Sequence, residues 1–353
     1  MNKESLFIIS LFAIFILLSG CLQEEEKKQE HIFVPLEEKN KTQENQTSYY
    51  PSQPTSERIS YPMKNFELSF VNVGYGDATI ILSKSKVILI DTASKESKDI
   101  LMAELRRRGI KKIDLLILSA PEDERFSGNL KDIIDLYKID TIWTPSKIYL
   151  EKYLPYLKET NIQEVQFGKT YIYDKLKIFV LNPVDNNNMY NPDSDSLVLK
   201  VSYNELCAII FSKSKMGGTG RGGGTNTYTL GTIESKFVLK AAEVNEPLKC
   251  DIIKLSDHGA GDGASYTLLD FIKPKIGIIS VGPNPPFNQY PSEQMINKLM
   301  VKGISIYTTD RLGNIIISSN DGKIYTIYTD FPRDEKYAEF LYDVAKASIK
   351  YWK

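Results

Sequence analysis

Histidine is almost missing. The 353 residues contain two, His31 and His258, which excludes any centre built from several imidazoles of one chain, the usual nitrogen donors to zinc. An excess of charge of either sign is missing too: 44 Lys and Arg against 45 Asp and Glu leave a formal net charge of -1. The chain therefore has no general pull on nucleic acid, and any polyanion site has to be a local patch. Residues 215 to 226, KMGGTGRGGGTN, are rich in glycine but lack the G-x-x-x-x-G-K-[ST] order and a strand feeding a helix N-terminus. They read as a flexible surface insertion and not as a phosphate cradle. No internal repeat short enough for a solenoid is visible. Cysteine is limited to Cys21, Cys207 and Cys250.

What is present is globular, with 42% hydrophobic and 25% charged residues, in a chain long enough for one large domain or two ordinary ones plus tails. The first residues read as a targeting segment. MNKES precedes the apolar run LFIISLFAIFILL, and Leu18-Ser19-Gly20-Cys21 follows at once, the layout of a signal peptide. The quartet resembles the lipobox of prokaryotic lipoproteins, which predicts a signal peptide over 1–21 and a lipid on Cys21; an uncleaved anchor is the alternative. Both place the rest of the chain outside the cell, on the membrane. Residues 22–62, rich in Glu, Lys, Gln, Ser and Pro, bury too little apolar area to offset the entropy of ordering and are expected to form a disordered tether. Asn40 and Asn45 each open an N-x-T glycosylation sequon there. His31 lies on the tether, so only His258 belongs to the folded part.

From Phe66 onward, short Val- and Ile-rich runs predict strands: FELSFVNVG, ATIILS, VILIDTA, IDLLILS, TIWTPS, QEVQF and KLKIFVLNP. SLVLKVSY and ELCAIIF read as a hairpin around Tyr203-Asn204-Glu205, and CDIIKLS, KIGIISVG, ISIYTTD, NIIISS and KIYTIYT follow. Helices are predicted at SKDILMAELRRRG, with Ile100, Leu101, Met102 and Leu105 on one stripe, and at NLKDIIDLYK, YLEKYLPYLKETN and SEQMINKLMVKG. The tail 333–353 is amphipathic, with Tyr337, Phe340, Leu341 and Val344 on one face. It is expected to pack on the domain, membrane-surface contact being the sharper alternative. This order predicts an α/β fold in which two sheets pack together with helices outside. Cys207 and Cys250 each begin a predicted strand. A disulfide is permitted outside the cell and is possible if those strands are neighbours; two buried free thiols are the favoured expectation.

LILSAPEDERFSGNL, residues 116 to 130, ends a strand in four consecutive charges, at the kind of strand end where α/β proteins put polar groups. With FVNVGYGDATIIL, LIDTA, DIIKLSDHGA, IISVGPN and YTTDRLGNIII, it resembles the extracellular metallo-β-lactamase-fold domain of the ComEC/Rec2 competence proteins. The resemblance covers roughly residues 66 to 328 of a domain bounded at 63–332, and its most specific pieces are VGYGDAT and KLSDHGA. It implies an αββα four-layer sandwich. It also implies a metal loop of the form T-H-P-D-A-D-H, onto which Ala120 falls at the first His, Glu122 and Glu124 at the two Asp, and Arg125 at the last His. Ser214 falls where relatives carry a bridging Asp, Tyr290 at a late His, and Asp257 beside the surviving His258. Alanine cannot ligate, and arginine brings a fixed positive charge. The resemblance further implies structural roles for Asp77 and Asp91.

Two readings follow. The preferred one is a surface-anchored lipoprotein that kept the sandwich and lost hydrolysis, with no cofactor, binding a small molecule or protein partner in the old cleft. The alternative is a metal-dependent hydrolase, a phosphodiesterase or nuclease by family analogy, with zinc or another divalent metal on Glu122, Glu124, Asp257 and His258, the last two being the catalytic candidates. Nucleic acid and DNA uptake enter only through the family. In place of a cation, Arg125 could neutralise the carboxylates by ion pairing, the favoured expectation.

Overall fold

The computed structural model describes residues 65–184, 190–192, 194–213, 233–282 and 290–347. Cys21, Asn40, Asn45, Ser214, the tether and the glycine-rich insertion lie outside them. In chain order the first half runs β1 (Phe66–Phe70), β2 (Thr79–Ser83), β3 (Lys86–Ile90), α1 (Lys98–Arg107), β4 (Lys112–Ile117), α2 (Glu124–Ser127), α3 (Leu130–Leu136), β5 (Lys138–Thr144) and β6 (Asn161–Glu164). The second half runs β7 (Thr170–Tyr173), β8 (Leu176–Asn182), β9 (Val198–Tyr203), β10 (Leu206–Ile210), α4 (Ile233–Glu243), β11 (Ile252–Lys254), α5 (Tyr266–Ile272), β12 (Ile276–Ile279), α6 (Glu293–Val301), β13 (Ser305–Thr308), α7 (Thr309–Leu312), β14 (Ile315–Ser319), β15 (Tyr325–Thr329) and α8 (Glu335–Ala347).

The strands form two sheets, one of eight in the order β15-β14-β1-β2-β3-β4-β5-β6 and one of seven in the order β13-β12-β11-β10-β9-β8-β7. The period-2 alternation of side chains sorts the apolar residues of β3 and β4. Ile88, Ile90, Leu115 and Ile117 face the core shared with the second sheet, while Leu89 and Leu116 face the outer core with Leu101 and Leu105 of α1 and Ile133 of α3. Strands buried on both faces read as continuous hydrophobic runs, as VILI and LLIL do. Helices α4, α5, α6 and α8 contribute Phe237, Leu269, Leu299 and Leu341 to the core of the second sheet. The result is an α/β αββα four-layer sandwich. Each fully buried Leu, Ile or Phe in it contributes about 1.5–3 kcal/mol relative to exposure.

Several local expectations need correction. YLEKYLPYLKETN is not an α-helix: Ile148–Tyr156 is a 3₁₀ segment containing Pro155, whose missing N–H and ring are incompatible with an α-helix interior. Ile100 is 45% exposed and off the buried stripe of α1. The strand read as QEVQF lies earlier, at Asn161–Glu164, and β7 and α4 were not anticipated. In α8, Tyr337 and Leu341 are buried against the core and Phe340 and Val344 are half-buried there, which is packing on the domain. The free-thiol expectation for Cys207 and Cys250 is also overturned. They form a disulfide with Cα atoms 5.0 Å apart, because β10 and β11 are adjacent parallel strands, with Ala208 opposite Ile252.

Candidate functional site

β3, β4 and β5 run parallel, as do β10 and β11. Loops leaving their C-terminal ends carry Asp91, the PEDER residues 121–125, Lys213 and the Asp-His pair 257–258. The backbone there is unusual. Asp91, Ala93, Asp257 and His258 all have positive φ, at 62°, 58°, 41° and 55°, a region that costs a non-glycine residue roughly 1–2 kcal/mol and that clusters at functional sites. Two glycines permit the close packing that holds this backbone. A Cβ on Gly76 would meet Ser94 N at 2.8 Å and Arg125 O at 2.9 Å, and one on Gly282 would meet Tyr75 N at 2.6 Å.

Arg125 is the centre of the arrangement. Its Nη2 and Nε donate to Asp123 Oδ2 at 2.8 Å and Oδ1 at 3.1 Å, and its Nη1 donates to Asp257 Oδ1 at 2.9 Å. One guanidinium thus joins the loop after β4 to the loop after β11, one from each sheet. Its Cζ also lies 5.7 Å from the centre of the Tyr75 ring and 5.6 Å from that of Phe126. Burial works to raise the Asp123 carboxyl, but the bonds from Arg125 outweigh it and hold the group below the usual range. Burial likewise opposes the charge of Arg125, and Asp123 and Asp257 outweigh it. Glu122 turns to a second set of partners, accepting from Tyr190 Oη at 2.6 Å and from Lys213 Nζ at 3.0 Å.

Glu124 does not join them. Its side chain is 74% exposed and pairs with Lys95 at 2.9 Å, because Asp123 caps α2 and the helical turn carries the next residue outward; its place among the candidate ligands is corrected accordingly. Ala120 is fully buried. Tyr290 is half-buried, its ring 6.1 Å from His258 and 6.0 Å from Tyr75, with burial pushing its hydroxyl up to about 12.

Beneath the loops lies a buried ionisable group of residues. His258 is fully buried, its Nδ1 2.8 Å from the Ser280 carbonyl, so Nδ1 carries the proton and Nε2 the lone pair, and Nε2 has no hydrogen-bond partner. Burial lowers its pKa, outweighing the opposite pull of Asp77, and the Tyr75 ring covers it at 4.3 Å. Lys254 Nζ stands 2.9 Å from Asp77 Oδ1. That contact pairs charges without hydrogen-bond alignment, since both Asp77 oxygens lack such a partner, while Nζ donates to the Phe211 carbonyl at 3.1 Å. Asp91 accepts from Ser119 N at 2.8 Å and lies 2.6 Å from Ser119 Oγ, and burial raises its carboxyl to about 8. Asp77 and Asp91 therefore hold the loops from below.

Tyr75, Lys213, Tyr190 and Lys254 were not singled out by sequence. Lys254 had a readable signal, a lysine inside the apolar run IIKLS. Among the described residues no group of three or more His, Cys, Asp and Glu is arranged to hold a metal ion.

No family model matches the chain. It is 23% identical over 273 residues to ComE operon protein 3 of Bacillus subtilis, covering 70% of this chain and 32% of that protein. Its similarity is to proteins of the ComEC/Rec2 type. A second such relative, Recombination protein 2 of Haemophilus influenzae, is 24% identical over 246 residues, covering 66% of this chain and 26% of its own length. The chain thus spans about a third or less of these ComEC/Rec2 relatives. Similar solved structures include the CmlA β-hydroxylase E377D mutant, at TM-score 0.48 and 12% identity over 73% of this chain and 55% of that one. Tm1679, a metal-dependent hydrolase of the β-lactamase superfamily, has TM-score 0.47 and 12% identity over 72% of this chain and all of its own. Among the described residues no helix is long and apolar enough to cross a membrane.

Proposed function

We propose that this chain is a surface-anchored lipoprotein with a ComEC-like sandwich whose cleft is closed by ion pairs in the place of metal, so that it binds and does not hydrolyse. The observation that carries this is Arg125, bonded to Asp123 and Asp257 across the two sheets. A guanidinium has no lone pair to give a metal and keeps its charge at any working pH. The donors nearest it are already committed to it, Glu122 is committed to Tyr190 and Lys213, and Glu124 faces solvent. The one imidazole among the described residues, His258, is buried under Tyr75. This set does not fit a zinc centre, which asks for several converging nitrogen, sulfur or carboxylate donors, and no chemical step is derived through a metal.

The lipid on Cys21, cleavage before it and exposure on the outer face of the membrane belong to the same proposal, supported by the sequence of the first 21 residues and by a disulfide suited to an oxidising compartment. The occupant of the cleft is a small molecule or a protein partner meeting the half-buried rings of Tyr75 and Tyr290. The purified full chain is expected to leave bis-(p-nitrophenyl) phosphate and a β-lactam intact with added Zn²⁺ or Mn²⁺. Metal-dependent turnover abolished by His258→Ala or Asp257→Asn would sink the reading. Cys21→Ala is expected to release the protein from membranes; unchanged retention at the normal mature size would count against the anchor.

A further inference from the structure

Four tyrosines flank the ion pairs of the cleft. At one end Tyr149 and Tyr190 meet edge to face with ring centres 5.6 Å apart; at the other, Tyr75 and Tyr290 lie 6.0 Å apart at 45°. All four are half-buried, so each keeps part of its surface toward solvent. The polar groups between the two pairs of rings form one unbroken line of contacts. Tyr190 Oη donates to Glu122 at 2.6 Å, and Lys213 Nζ stands 3.0 Å from Glu122 and 3.5 Å from Asp123. Arg125 continues the line from Asp123 to Asp257 and to the Tyr75 ring. Tyr149 follows β5 and Lys213 follows β10, so the strip crosses the ends of both sheets.

Its charge restricts what can lie on it. Glu122, Asp123 and Asp257 face two cations, Lys213 and Arg125, and each carboxylate is paired. The formal surplus is one negative charge, which repels a polyanion, and an arriving cation finds every carboxylate already met. Pairing does not exhaust the hydrogen-bonding capacity, however. A carboxylate accepts at about four positions; among the described residues Glu122 uses two of them and Asp257 one. A hydroxyl both donates and accepts, so a neutral molecule rich in hydroxyls suits this surface without bringing charge to it. The rings supply the other half of the match. An aromatic face is negative, and the C–H face of a pyranose is weakly positive and flat enough to lie on it.

We propose that the strip binds a neutral oligosaccharide, with sugar rings on the two tyrosine pairs and hydroxyls on the carboxylates between them. This rests on the reading of the cleft as a binding site and names the class of its small-molecule ligand. A flat aromatic ligand fits less well, because it would cover the rings and leave the buried-side carboxylate positions without donors.

The test is calorimetric titration of the full chain, in a polyoxyethylene detergent free of sugar headgroups, with maltohexaose, cellohexaose and chitohexaose. At least one is expected to bind the parent, and Tyr149→Ala and Tyr290→Ala, one at each end of the strip, are each expected to weaken that binding about tenfold. Tyr290→Phe keeps the ring and is expected to stay within about threefold of the parent. Tyr342→Ala, which removes an exposed tyrosine of α8, is expected to bind as the parent does. No binding of any of the three sugars, or equal losses in Tyr149→Ala, Tyr290→Ala and Tyr342→Ala, would overturn the proposal. So would a parent that binds no neutral sugar but binds a single-stranded oligonucleotide in a way that Tyr149→Ala and Tyr290→Ala abolish. Failure of the cleft reading itself would show as metal-dependent turnover, which this titration does not measure, so the two can fail separately.

Discussion

Three parallel strands, β3, β4 and β5, give the first sheet an end where they finish and an end where they begin, and the two ends treat charge in opposite ways. Where they finish, most carboxylates and cations are turned inward and paired, Arg125 with Asp123 on its own loop, and Arg125 with Asp257, Glu122 with Lys213 and Lys254 with Asp77 across the two sheets. Where they begin, each strand starts on a lysine, and Lys138 and the exposed Lys111 just before β4 have no ion-pair partner among the described residues. The difference follows from the backbone. The finishing end is built of left-handed residues and close glycines that bring loops from both sheets together, so its charges lose water and must pair. The starting end is more open: residues 173 and 174 of the second sheet reach it only through Lys84, Ser85 and Lys86, and Lys111 and Lys138 stay exposed and keep their hydration.

Perturbing each end separately tests that contrast. The largest effect is expected from the disulfide, which ties the beginnings of β10 and β11. Closing 43 residues of sequence separation constrains the unfolded chain by about 4 kcal/mol in the loop-entropy model. Cys207→Ser/Cys250→Ser should lose most of that in urea unfolding while leaving the spectroscopic signature of the fold intact. Next is Arg125→Ala, which strands two carboxylates that are each 14% exposed and is expected to cost about 1–3 kcal/mol. Lys111→Ala at the other end should stay within about 0.5 kcal/mol. Equal costs for the two would erase the contrast.

A smaller effect concerns pH. Asp91 is raised to about 8 by burial, above an unfolded value near 3.9, so the folded state holds a proton that the unfolded state has released. Its contribution to stability is present at low pH and is lost as pH rises toward 8. His258 is lowered by burial, so its contribution is present above about 6.5 and lost below. The melting temperature should therefore decline from pH 6.5 to 8, where Asp91 alone of the two acts, and Asp91→Asn should flatten that decline. A slope unchanged in the variant would place the titration elsewhere.

The sheets were legible because strands buried on both faces concentrate Val, Ile and Leu, and VILI or LLIL can be little else at that length. The 3₁₀ segment was misread because YLEKYLPYLK carries a helical apolar spacing that Pro155 overrides. Helix α4 lay unread between the glycine-rich insertion and Cys250. At the site, the PEDER loop and His258 were readable through VGYGD and KLSDHG, and ion pairing by Arg125 was the favoured expectation. Its partners were not readable, because Tyr190 and Lys213 reach Glu122 from 68 and 91 residues away and no local pattern encodes that. The lysine row escaped notice for a related reason: RRRGIKK reads as a solvated helix end until parallel pairing sets Lys112 beside Lys138.

The central claim is that a guanidinium clamp does the work of holding the two sheets' loops together at the cleft. A protein that binds metal only when folded melts higher in its presence by mass action. The direct measurement is the melting temperature of the full chain after EDTA treatment and again with excess Zn²⁺, compared with Arg125→Ala under the same two conditions. The account predicts no shift in the parent in either condition and a lower melting temperature in Arg125→Ala that EDTA leaves unchanged. A parent that melts higher with Zn²⁺ and lower with EDTA would contradict it.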